Sequence, residues 1–181
     1  MAEALVRPNL ILMALPQRAQ ATVRGRDGDA ALIAALTQAL GAPPPRAPNT
    51  VTQAGTRAVL WLGPGEWRVV GPPDDAAAML GALRATVPRT LGAVVELSDF
   101  YASFRLSGAG ARAVLAQGCA LDLHPRTFAA GQCAQSLLAK ADILLHQIDD
   151  TPSYDLQVRA SHAAYLWAWL SDAAGTATSD G

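Results

Sequence analysis

The segment Leu60-Trp61-Leu62-Gly63-Pro64-Gly65-Glu66-Trp67-Arg68-Val69-Val70 restricts this chain more than any other. Two apolar runs rich in β-branched and aromatic residues flank a Gly-Pro-Gly turn, the pattern of two strands joined by a tight connection. A connection that short makes its strands antiparallel neighbours, so a sheet built around it cannot be purely parallel.

The elements on either side extend the pattern. Residues 19–24 read as a strand, and 29–40 as a helix that Asp27 or Asp29 can cap and Gly41 can stop. The proline-rich run 42–49 must be loop. Strands are expected near 57–62 and 66–70. Pro72, Pro73, Asp74 and Asp75 then open a helix to about Ala85, with the acids near its positive end. Pro88 ends that region, and 93–97 is the next strand. The order is β-α-β-β-α-β, the split βαβ arrangement.

The second half follows a similar order: a strand at 102–106, a short helix from Gly108 to about Gln117, and an irregular connection over 121–131. Strands near 132–138, 142–147 and 154–158 precede a closing helix over 161–173. Glu66-Trp67-Arg68-Val69-Val70 before the second helix parallels Tyr154-Asp155-Leu156-Gln157-Val158 before the last one, and Val23-Arg24-Gly25 parallels Leu106-Ser107-Gly108. Residues 1–18, with Pro8 and Pro16 bracketing an apolar run, read as an extended arm. The expected organisation is this arm, a first half over 19–97 and a second over 98–181, the two halves forming one compact domain.

Of the 181 residues, 16% are charged against about 25% in ordinary soluble domains. Acids and bases nearly cancel, 15 against 14, so no global field recruits nucleic acid or an anionic membrane. Either this is an alanine-rich soluble protein or a subunit that covers surface against partners. The run 10–15 is far shorter than the ~20 residues of a spanning helix, so no membrane segment is expected. Two cysteines, Cys119 and Cys133, with no secretory signal before them, suggest reduced thiols in a cytoplasmic protein.

Chemistry-bearing patterns are sparse. Gly108-Ala109-Gly110-Ala111-Arg112-Ala113 matches a G-x-G-x-x-A phosphate turn, but Asp122 follows too soon to be its ribose acid. Tight strand-to-helix turning explains the glycines. Cys119, Cys133 and His124 share a loop region, yet no C-x-x-C or H-x-x-x-H occurs. His146 and His162 stand apart from them. Ser98, between Glu96 and Asp99, lacks a G-x-S-x-G elbow, and Lys140 reads as a hairpin residue. No catalytic, cofactor-binding or metal-ligating residue is therefore assigned.

On a wheel of the closing helix, Tyr165, Leu166, Trp169 and Leu170 form one apolar face of about 140°, and Trp167 falls about 60° beyond it. Two tryptophans two residues apart require cover on two sides, or a partner against Trp167. The candidate interface comprises Trp167 together with Leu10, Leu12 and Leu15 of the arm.

Three groups of residues carry a resemblance. They are Trp61-Leu62-Gly63-Pro64 with Glu66-Trp67; Cys119, Leu121-Asp122-Leu123-His124-Pro125 and Gly131-Gln132-Cys133-Ala134-Gln135; and Tyr165-Leu166-Trp167 with Trp169-Leu170. Over residues 19–173 the chain resembles the gamma subunit family of heterotetrameric sarcosine oxidase. Gly65 stands where that family usually has an acidic residue, and Glu96 where aspartate is common. More distantly, the second half resembles the folate-binding domain of glycine-cleavage aminomethyltransferases. That likeness implies an α+β fold of duplicated split βαβ (ferredoxin-like) units, largely antiparallel sheets with helices.

The resemblance implies an accessory, assembly subunit, non-catalytic by itself, of a complex that oxidatively demethylates sarcosine to glycine. The methyl carbon would leave as formaldehyde or pass to tetrahydrofolate, and oxygen would become hydrogen peroxide. FAD, FMN, NAD, zinc and tetrahydrofolate would belong to the partner alpha, beta and delta subunits. Two other readings stand beside it. One is a lone folate-binding or one-carbon-transfer module using Glu96 or Asp122. The other is the small subunit of an oxidase or dehydrogenase for another N-methyl amino acid.

Overall fold

The computed structural model describes residues 4–176, which divide into two compact units: 17–99, and 4–16 together with 100–176.

In the first unit, β3 (Ala19–Gly25) directs Ala19, Ala21 and Val23 into a core and Gln20, Thr22 and Arg24 to the opposite face. Helix α1 (Ala30–Leu40) starts at Asp29, whose carboxylate accepts from the Ala31 and Leu32 amides at 2.9 and 3.2 Å. It ends at Gly41, whose N–H donates to the Thr37 carbonyl at 2.8 Å. Leu32, Ala35, Leu36 and Leu40 form its buried stripe. Strands β4 (Val51–Ala54), β5 (Arg57–Gly63) and β6 (Glu66–Gly71) follow, then α2 (Ala76–Thr86) and β7 (Gly92–Glu96). The sheet order is β4-β5-β6-β3-β7, every pairing antiparallel. Both helices contribute to the one core beneath it, α2 through Met79, Leu80 and Leu83.

Residues 60–70 fall in the β5–β6 hairpin. Gly63 pairs with Glu66, leaving Pro64 and Gly65 as the turn. Gly65 has φ of 68°, and a Cβ there would lie 2.3 Å from the Gly25 carbonyl oxygen. A proline followed by a positive-φ glycine is the type II turn. An acidic residue at position 65 therefore requires a different turn, since this one has no room for any side chain.

The second unit repeats the plan with one strand taken from elsewhere. Strand β8 (Tyr101–Ser107), helix α3 (Ala111–Ala116), strands β9 (Cys133–Leu138), β10 (Ala141–Asp149) and β11 (Ser153–Arg159), and helix α4 (Ala163–Thr176) reproduce β3 to α2 in order. No strand among the described residues follows α4. The place of β7 is taken by β2 (Leu10–Ala14), itself paired with β1 (Ala4–Arg7). The sheet order is β1-β2-β8-β11-β10-β9. Equivalent backbone bonds recur in both units. The Leu97 amide donates to Gln20 at 2.8 Å as that of Leu15 does to Ser103 at 2.9 Å, and Gly25 to Gly65 at 2.9 Å as Gly108 does to Pro152 at 3.1 Å.

This arrangement corrects the extended arm expected over residues 1–18: residues 4–14 are a hairpin within a sheet. Leu10 and Leu12 are 3% and 0% exposed, inside the second unit's core. The strand period alone separates them from Ile11, which is 40% exposed. Leu10 and Leu12 are therefore removed from the candidate interface. Masking by a uniformly apolar run is the physical reason, because alternation cannot be seen where every residue is hydrophobic.

Candidate functional site

The positions singled out in the sequence have structural roles. Gly108 has φ of 106°, and a Cβ there would sit 2.4 Å from the Asn9 carbonyl oxygen, which also accepts the Gly110 amide at 3.1 Å. The glycines let the β8–α3 turn close against the β1–β2 hairpin. The ground that phosphate would need is held by that carbonyl. Helix α3 spans only six residues.

Cys119 and Cys133 are both buried. Cys119 Sγ lies 3.8 Å from Ser136 Oγ, while Cys133 pairs across the sheet with His146. His124 is exposed at the start of a turn, its Nδ1 accepting the Arg126 amide at 3.2 Å. Asp122 orders this turn by accepting from the His124 amide and the Thr127 hydroxyl, both at 3.0 Å. Those two bonds hold its carboxyl below the ordinary aspartate range, the His124 amide contributing more. Among the described residues no three His, Cys, Asp or Glu side chains converge as a metal would require.

Ser98 is buried and accepts the Gln20 amide at 3.1 Å, while Asp99 bonds the Gln17 side-chain amide. Lys140 follows Ala139, which has φ of 52°, in the β9–β10 hairpin, and its amide donates to the Tyr165 hydroxyl at 3.3 Å. Glu96 and Asp122, the acids a folate pocket would need facing inward, are both exposed.

Trp167 and Trp169 both pack on the core beneath β8, each half-buried. Trp167 sits 5.8 Å from Phe104 between ring centroids, tilted by 37°. Tyr165, placed on the apolar face from the wheel, is instead 38% exposed. The wheel locates Cβ atoms, whereas an indole reaches far enough sideways to touch a core from a flanking position. Leu15 is half-buried beside β8.

Two polar pairs were not legible beforehand. Arg105 on β8 and Asp155 on β11 form a two-pronged ion pair at 2.7 and 2.9 Å, which raises the Arg105 pKa above its usual value. At the equivalent place in the first unit, Arg68 donates to Thr22 at 2.9 Å and to Gln20 at 3.3 Å. Both pairs lie on the sheet face turned away from the core cluster.

Several concavities lie among the described residues. One of about 970 Å³ lies at the β1–β2 turn, beside Arg7, Asn9, Ser107 and Thr151. A second of about 420 Å³ lies between α3 and the Asp122 turn. A third, of about 880 Å³, runs along β7, lined by Arg84, Val87, Pro88, Arg89, Gly92 and Val94. Val95 is 50% exposed on the same strand. Local patterns in the sequence carry no signal of this groove, because an open edge depends on the strand order of the sheet.

The twice-repeated β-α-β-β-β-α order, with every strand pairing antiparallel and its glycines, thiols and acids engaged in turns and packing, defines a duplicated α+β fold. The solved aminomethyltransferase T of the glycine cleavage system from Bartonella henselae shares this fold with a TM-score of 0.70 at 16% identity, over 91% of this chain and 46% of that one. The Sarcosine oxidase, gamma subunit family matches residues 24–176, and the chain belongs to it. It is 34% identical to the sarcosine oxidase subunit gamma of an Arthrobacter species, over 83% of this chain and 71% of the relative. It is also similar to a chain of the heterotetrameric sarcosine oxidase from Corynebacterium sp. U-96, solved with pyrrole 2-carboxylate. There the TM-score is 0.86 at 28% identity, over 98% of this chain and 90% of the other.

Proposed function

We propose that the chain is the gamma, accessory subunit of a heterotetrameric sarcosine oxidase. The complex would convert sarcosine, water and oxygen to glycine, formaldehyde and hydrogen peroxide, with tetrahydrofolate capturing the methyl carbon when present. Alpha, beta and delta partners would carry FAD, FMN, NAD and zinc, and this chain would supply packing and assembly. The observation that carries the reading is likeness over nearly the whole chain to a chain of a heterotetrameric enzyme of that kind. Employment of the tempting motifs in structural contacts supports a non-catalytic role. A cytoplasmic location fits a chain with only two cysteines, too few for a disulfide framework. No described helix is long and apolar enough to cross a membrane.

Co-expression with the candidate partner subunits tests this. A single complex that produces hydrogen peroxide from sarcosine, and from which this chain cannot be washed, is the expected result. Stoichiometric flavin or turnover in the lone chain would overturn it, as would failure to co-purify. Activity with a different N-methyl amino acid would move the substrate and keep the assembly role.

A further inference from the structure

The internal repeat identifies a strand position that is filled in one unit and open in the other. Matching the shared Leu97–Gln20 and Leu15–Ser103 bonds aligns β7 with β2 so that Val94 corresponds to Leu12 and Gly92 to Leu10. In the second unit β1 pairs along the outer edge of β2, with Leu5 opposite Leu12 and packed on the core. In the first unit β7 is the last strand, and its outer edge has no strand partner among the described residues. The Leu97 amide points to β3, so alternation turns the backbone groups of Val94 and Glu96 outward. An edge with free amides and carbonyls is a template for one more strand.

We infer that the β7 edge accepts an extended segment of a partner subunit, aligned antiparallel as β1 aligns with β2, with an apolar side chain opposite Val94 and an acidic one near Arg89. The first feature follows from Leu5, whose counterpart is missing above Val94 and Val87. The second follows from Arg84 and Arg89, which line the groove and form no ion pair among the described residues. The inference rests on the accessory-subunit reading.

Amide hydrogen exchange, read residue by residue on the lone chain and on the assembled complex, tests it. The Val94 and Glu96 amides should exchange freely in the lone chain and slow by at least about tenfold on assembly. Arg84→Glu with Arg89→Glu should weaken retention of the chain by about tenfold while its thermal unfolding is unchanged, and the lysine pair should restore retention. A stable complex in which both amides still exchange freely would overturn this inference and leave the proposed function standing. Failure to form any complex would remove both. A dimer of the lone chain with these amides already protected would assign the edge to self-association instead.

Discussion

Arg105 and Asp155 face each other across β8 and β11, at the place that Thr22 and Arg68 occupy in the sister sheet. One duplicated position has thus evolved a salt bridge in one unit and a hydroxyl–guanidinium bond in the other. Asp155 is 11% exposed in its side chain and Arg105 35%, so solvent compensates the arginine in part if its partner goes. Asp155→Ala should cost about 1–3 kcal/mol, read from the urea midpoint. The paired change Arg105→Met with Asp155→Leu should recover most of that loss.

Gly65 tests the β5–β6 hairpin. Alanine there must adopt a positive φ and also push against the Gly25 carbonyl, a backbone atom that cannot swing aside. Gly65→Ala should lower stability by about 1–3 kcal/mol in thermal or urea unfolding. Gly65→Asp should do at least as much harm, despite the acid common at this position in the family the chain resembles.

Leu12 and Ile11 separate packing within the chain from contact with partners. Leu12→Ala should destabilise the lone chain by about 2–4 kcal/mol, because it empties a site inside the core. Ile11→Ala should cost less than about 1 kcal/mol, its side chain being 40% exposed. Equal losses would mean that β2 does not insert as a strand.

The Asp122 turn makes a prediction in pH. Its carboxyl is held below the usual range, so its charge favours the folded turn above the unfolded pKa, and that contribution fades as pH falls through the folded value. A carboxyl-carbon NMR titration should give Asp122 a midpoint below that of a free aspartate. Thr127→Val should move the midpoint upward part of the way, leaving the larger share supplied by the His124 amide.

Most of the elements were visible in the sequence because their signals are local. Asp29 and Gly41 bound α1 through bonds to their own neighbours, and the Pro64-Gly65 turn dictates its hairpin. Strand β4 was missed because four residues behind a proline-rich loop carry too few alternations, and its place is an edge. Helix α3 was read too long, since Gly108 to Gly110 serve the turn and not the helix. The fate of residues 4–14 depends on Leu12 meeting Leu106 across most of the chain, and no local pattern encodes that meeting. The β7 groove escaped for the same reason: an open edge is a property of the sheet order.

Insertion of β2 beside β8 also sets an order of events during synthesis. The leading hairpin leaves the ribosome while the strand that must hold it, beginning at Tyr101, has not been translated. Residues 17–99 can close their own sheet in that interval, but the leading leucines must stay unsheltered until the rest of their layer emerges. The nascent chain is therefore most prone to aggregation midway through translation, and a chaperone that grips the first fourteen residues would act when it matters most.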